Sequence, residues 1–178
     1  MSKLLSFHSD PKIKEKYLKR VRAHAKADEI IKGKYWQDGA AYQTELGLPE
    51  WLAKLEDALF EGLPKGHAAK FPARFLSAIP IGADLEPVKY KFTLILLAEN
   101  AERVSHLTID DSVKAQILSA IDQVAAVNRD ALATGVVNDA ARTAADAARS
   151  AAWSVADAAR TAAYIRYAAE LIKLLKAA

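Results

Sequence analysis

Three copies of one heptad near the C-terminal end constrain this chain more than any other feature. They are Asp139-Ala-Ala-Arg-Thr-Ala-Ala145, Asp146-Ala-Ala-Arg-Ser-Ala-Ala152 and Asp157-Ala-Ala-Arg-Thr-Ala-Ala163, with Trp153-Ser-Val-Ala156 inserted between the second and third. Alanine loses no side-chain entropy in a helix and crowds nothing, so the segment predicts one long helix. Asn138 is placed to cap its start and Gly135 to break whatever precedes it. The expected helix runs from about 139 to about 175, roughly 55 Å at 1.5 Å per residue.

Steps of seven and eleven residues both return close to the same helical angle. Thr143, Ser150, Ser154 and Thr161 therefore share one stripe, Asp139, Asp146 and Asp157 a second, and Arg142, Arg149 and Arg160 a third. Each Asp meets its Arg at i+3, a pairing worth about 0.2–0.5 kcal/mol. The threonine stripe invites comparison with ice-binding helices, but half of its positions are Ser and Asp lies alongside. A salt-laced alanine helix is the simpler reading. Its wide alanine face, with Ala148 and Ala159 near the centre, calls for close packing or self-association. Beyond Ala163 the pattern becomes an ordinary apolar segment: Tyr164, Ile165, Tyr167, Leu171, Ile172, Leu174 and Leu175.

The remainder also reads as helices separated by strong breakers. Asp10-Pro11 is an N-cap followed by proline at the first helical position. Ile13, Tyr17, Val21, His24, Asp28 and Ile31 follow at helical spacing up to Gly33. A short helix over 40–45 stops before Gly47. Pro49 opens another, with Gly62 as its terminator and 63–66 as a loop. A further short helix starts near Pro72, and Pro87 opens one containing Val88, Phe92, Ile95 and Leu96. Residues 90–97 have β-propensity, but no second alternating run exists to pair with them, so helix is expected there as well. Asp110 caps the penultimate helix, whose face carries Val113, Ile117, Ile121 and Val124. The expected fold is all-α: an irregular multi-helix bundle in one domain, 1–178. Its irregular part spans 1–104, and a helical hairpin ending in the long alanine-rich helix spans 105–178.

Composition excludes several classes of function. The chain has no cysteine, so it holds no disulfide framework and no thiolate nucleophile or metal site. The longest apolar run, 94–98, is far too short for a bilayer, and the N-terminal residues lack a signal-type apolar region. A cytoplasmic location is expected. No phosphate-binding glycine loop, zinc pattern or nucleophile elbow occurs.

The net charge of +3 is uneven: residues 1–34 hold ten Lys or Arg against four Asp or Glu. The first helix carries Lys12, Lys14, Lys16, Lys19, Arg20, Arg22 and Lys26. Such a row neutralises phosphates and predicts salt-dependent nucleic-acid binding; the plainer alternative is a solvated, solubilising face. Glu15 and Glu29 interrupt it, and no recognition-helix motif accompanies it. The candidate nucleic-acid contacts are Lys12, Lys16, Lys19, Arg20, Arg22 and Lys26.

His24 and Asp28 stand at i, i+4 on the apolar side of the same helix. They form a buried polar pair, an acid–base pair or two metal ligands, the last requiring a third donor such as His8, His67 or His106. His106-Leu-Thr108 matches one half of the signature of two-histidine phosphoesterases, without a second copy. Glu56 and Asp57, adjacent on a helix, point in different directions and are expected to be solvated.

The stretch Phe7-His-Ser-Asp-Pro-Lys-Ile-Lys-Glu-Lys-Tyr-Leu-Lys-Arg-Val-Arg-Ala-His24 resembles the opening of a group of uncharacterised bacterial and phage-associated proteins. Ala27-Asp-Glu-Ile30, Gly33-Lys-Tyr-Trp36, Leu52-Ala-Lys-Leu-Glu-Asp-Ala-Leu-Phe-Glu-Gly-Leu-Pro64 and Phe75-Leu-Ser-Ala-Ile-Pro80 with Gly82-Ala-Asp84 extend the resemblance over most of the chain. Members often end in an alanine-rich helix. The resemblance implies no activity. Such proteins carry a Cys- and His-containing insertion after Tyr-Trp, whereas here Gln37-Asp-Gly-Ala-Ala-Tyr42 passes straight through. A metal or redox role resting on those cysteines does not carry over.

The sequence thus reads as a non-enzymatic helical protein that binds a protein partner, with no cofactor, no membrane association, and self-association through the alanine-rich helix as an option. The alternatives are a nucleic-acid-associated protein using the basic first helix, a His-centred metal protein or enzyme, and a synthetic or trimmed sequence.

Overall fold

The computed structural model describes residues 3–26, 39–136 and 157–178, with the backbone alone for 26, 39–41 and 157–161. Every regular element among them is helical, and no strand occurs. The helices are α1 (Pro11–Lys26), α2 (Gly39–Leu46), α3 (Glu50–Gly62), α4 (Lys65–Ala68), α5 (Phe71–Ala78), α6 (Glu86–Ser105), α7 (Asp111–Thr134) and α8 (Asp157–Lys176). No described helix is long and apolar enough to cross a membrane.

The helix starts follow local chemistry. The Asp10 carboxylate accepts from the Lys12 amide at 2.8 Å, satisfying one of the orphan donors of α1. Asp110 does the same for α7, accepting from Ser112 and Val113. Pro49 precedes α3, and Pro87 lies in the first turn of α6, where its missing N–H costs nothing. Residues 90–97 are helical, within α6. At the end of α7 the Gly135 amide bonds back to the Ala131 carbonyl, and Gly135 takes the left-handed conformation. The expected first-helix end at Gly33 lies outside the described residues, as does the alanine-rich stretch before Asp157. The side-chain packing expected of Ala148 and Ala159 lies outside them too.

The chain divides into two compact units, one of residues 1–88 with 156–178 and one of 89–155. In the first, α8 packs on α3 and α5, while α1 packs on α5 and α2. Phe7, Leu48, Leu52, Leu59, Phe75, Ile79, Leu171 and Leu175 are its fully buried centre. The apolar segment expected beyond Ala163 supplies the α8 share, with Tyr164, Leu171, Ile172 and Leu175 all buried. In the second unit, α6 buries Phe92, Leu96 and Leu97, and α7 buries Ala125, Asn128 and Ala131. Asn128 donates to the Val124 carbonyl at 2.8 Å, which keeps its amide from being orphaned.

One local expectation is corrected and another gains a second reason. Of residues 63–66, expected to be loop, Lys65 and Gly66 belong to the single turn α4 behind Pro64. Gly62 belongs to α3 itself, and its place is fixed by packing: a methyl group there would land in the ring of Tyr164 on α8. Gly62 is the last residue of α3, as expected, and its missing side chain also makes room for Tyr164.

Candidate functional site

The approach to α1 is an unusual piece of backbone. Phe7, His8 and Ser9 all have positive φ, at 53°, 49° and 60°. Left-handed geometry costs an L-residue roughly 1–2 kcal/mol, so three in a row persist only where the surroundings hold them. Ser6 is clasped by residues 80–83. Its amide donates to the Ala83 carbonyl at 3.1 Å, its carbonyl accepts from Gly82 at 2.9 Å, and its hydroxyl accepts from the Ala83 amide at 2.9 Å while donating to the Pro80 carbonyl. Lys3 pairs with Asp84 at 2.8 Å. Phe7 is fully buried, and the His8 ring bonds the Thr44 carbonyl at 3.1 Å through Nε2.

From this turn α1 emerges with two distinct sides. At 100° per residue, Lys12, Glu15, Lys16, Lys19, Arg20, Arg22 and Ala23 fall within an arc of roughly 160°. All seven are exposed, whereas Ile13, Lys14, Tyr17, Leu18, Val21 and His24 on the other side are half-buried. Arg20 and Arg22 mark the two edges of the exposed arc. Between them Lys12, Lys16 and Lys19 run along its middle, and the first to the last cation spans about 15 Å of helix axis. Among the described residues no carboxylate forms an ion pair with any of these five cations. Lys16 lies over the Tyr17 ring, 5.2 Å from its centroid. An open groove of about 570 Å³ runs along the Arg22 edge, lined by Pro11, Lys14, Glu15, Leu18, Lys19 and Arg22.

Lys14 does not belong with the other cations. Its ammonium turns inward, donates to the Ser77 carbonyl at 3.1 Å and to the Ile79 carbonyl, and sits 5.6 Å from the centroid of the Phe7 ring. A cation at the end of α5 complements the carbonyl groups left open there. Burial holds the Lys14 ammonium below its usual pKa. The counted row of lysines thus contains one structural member, which ties α1 to α5. On the same side the Tyr17 hydroxyl donates to the Glu45 carboxylate of α2.

The remaining candidates resolve differently. The Lys26 side chain and all of Asp28 lie outside the described residues, so the expected His24–Asp28 pair does too. His8 sits on the left-handed turn, His67 on α4 and His106 just past α6, all three exposed. Among the described residues no three His, Asp or Glu side chains gather as a metal site. Contrary to the solvated surface expected of both carboxylates, Glu56 is 3 % exposed and accepts a hydrogen bond from the equally buried Tyr42. Burial, the charge of Glu56, the bond to it and the charge of Asp57 together raise the Tyr42 hydroxyl well above its ordinary pKa. Asp57 is half-buried, and burial, then the neighbouring charge of Glu61, raise its carboxyl as well.

No known family, curated protein or solved structure matches this chain.

Proposed function

We propose that this protein works by binding a macromolecule rather than by catalysis, and that the binding surface is the exposed face of α1 with a nucleic acid as its partner. The observation that carries the reading is the angular separation on that helix. Five cations without a described carboxylate partner occupy one face, and the structural lysine is sorted onto the other. Any surface helix keeps its charges on the solvent side, but solubility alone does not require them to be of one sign, and here five cations share the arc with a single glutamate. Phosphate contact supplies a reason for one sign, because each neutralised phosphate releases counterions and adds affinity without demanding sequence.

Fluorescence anisotropy with labelled 20-nucleotide DNA, single-stranded and duplex, tests this. For two to five phosphate contacts, raising salt from 50 to 200 mM weakens duplex binding by about 12- to 500-fold. The combined variant Lys16→Gln, Lys19→Gln, Arg20→Gln and Arg22→Gln loses binding while its melting temperature stays near that of the parent. Binding that ignores salt, or that survives in this variant, defeats the reading.

A protein partner is the second reading, supported by a different surface. Leu107, Ile109, Val113 and Ile117 are large apolar residues between 37 % and 48 % exposed around the start of α7. Apolar side chains gathered in this way are a mark of protein contact.

A further inference from the structure

We infer that the exposed face of α1 enters the major groove of B-form duplex DNA, with Arg20 and Arg22 on the two phosphate walls and Lys12, Lys16, Lys19 and Ala23 toward the base edges. This rests on the nucleic-acid reading above and adds which nucleic acid and how it is held. An α-helix with its side chains is about 10–12 Å across. The major groove of B-DNA is about 12 Å wide and admits one helix. The two arginines lie at opposite edges of the exposed arc, roughly 160° apart by the helical count. A single strand offers one backbone and engages one edge, whereas a groove offers two walls and engages both. The open space along the Arg22 edge leaves room for one of those walls. The opposite side of α1 is occupied by α2, α5 and the turn at residues 6–9, so these elements stay outside the groove.

The middle of the face suits the groove floor. Lysine donates to guanine N7 and O6, and the Ala23 methyl group fits against the thymine methyl group. Glu15 lies on the Arg22 side of the arc, where it faces a phosphate wall and opposes binding. Duplex RNA excludes this arrangement, because its major groove is too deep and narrow for side chains to read.

The experiment compares three 20-residue probes of one sequence — duplex DNA, single-stranded DNA and duplex RNA — by anisotropy at 50–200 mM salt, with polyglutamate as a further polyanion. Dimethyl sulfate footprinting of the duplex reports guanine N7, which lies in the major groove. The expected result is tightest binding to duplex DNA with N7 protected. Arg20→Gln and Arg22→Gln each flatten the log–log salt slope by about 0.9, which is about 3.5-fold less weakening across that salt range. Glu15→Gln binds more tightly than the parent. Unchanged melting curves for the two arginine variants separate lost contacts from lost folding.

Equal affinity for single-stranded DNA or duplex RNA, or unprotected N7 on bound duplex, overturns groove insertion while leaving nucleic-acid binding in place. A slope change in only one arginine variant overturns the two-wall arrangement. Preference for polyglutamate over every nucleic acid overturns both proposals in favour of an acidic protein partner, and binding to none of the four overturns both outright.

Discussion

Replacing Gly47 by alanine probes the link between the left-handed turn and the seat of α1. Gly47 has φ +60°, and a Cβ built there meets the Leu5 carbonyl oxygen, the His8 amide nitrogen at 2.9 Å and His8 Nδ1 at 3.2 Å. Two of these atoms are backbone of the turn, which the clasp on Ser6 holds in place, so they have little freedom to retreat. The left-handed conformation costs alanine roughly 1–2 kcal/mol. Forcing a methyl group against packed atoms adds about 1–3 kcal/mol. The stiffer unfolded chain returns about 0.4–1 kcal/mol. The net loss is about 3 kcal/mol, and for a chain of this length each kcal/mol lowers the melting temperature by about 2–4 °C. Thermal unfolding followed by far-ultraviolet circular dichroism should therefore show a drop of about 6–12 °C. Gly66→Ala is the control. It lies in α4 with no neighbour within 4 Å of the added carbon, and alanine there gains about 0.5–1 kcal/mol. If Gly47→Ala melts with or above the parent, or if Gly66→Ala falls equally far, the account of the turn is wrong.

Three further outcomes are expected. Tyr42→Phe removes a partner of the buried Glu56 and costs about 1–3 kcal/mol. Because the Tyr42 hydroxyl is raised in the fold, its stabilisation is complete below its ordinary pKa and is lost as pH rises through the raised value. The parent should therefore lose stability in alkali through this group and the Phe variant should not, as melting at pH 9 to 11 will show. Asp57→Asn should raise the melting temperature at pH 7 and leave it unchanged near pH 3. A carboxyl raised by folding favours its protonated form, so the stability tied to that proton is present below the ordinary carboxylate pKa and lost as pH rises through the raised one. Lys14→Met should cost about 1 kcal/mol by leaving the Ser77 and Ile79 carbonyls without their charged donor, yet keep the salt slope of DNA binding. Arg20→Met should do the reverse, and the same effect from both variants would contradict the two-sided reading of α1.

What the sequence disclosed was local, and what it hid was set by distant partners. Asp10-Pro11, Asp110, Pro49 and Pro87 announce helix starts because capping uses atoms a few residues away. The exposed arc of α1 follows from helical spacing alone. The destination of the Lys14 ammonium does not, since its acceptors are carbonyls more than sixty residues further on. Glu56 carries no local sign of burial, because the hydroxyl that makes it tolerable comes from Tyr42 on α2. Gly62 reads as a helix stop, and is one, but the sequence does not show that Tyr164 of α8 lies across it. The left-handed run of Phe7, His8 and Ser9 contains neither glycine nor asparagine. It is imposed by the clasp of residues 80–83 on Ser6, which no window of neighbouring residues contains.

That clasp bears on the proposed binding as much as on the fold. A free helix of the length of α1 is marginal in water, because nucleation is unfavourable and few hydrogen bonds repay it. A basic arm of the same composition, unattached, would have to be ordered on contact, and the ordering would weaken its affinity. In this chain the inner side of α1 is already fixed by the Asp10 cap, by Lys14 on the end of α5 and by Tyr17 on Glu45. The five outer cations are therefore presented at set angles before any ligand arrives, and the only ordering left is that of their own side chains. The two sides of the helix thus answer one another: the interactions that remove Lys14 from the charged face are among those that hold the other cations in a fixed array.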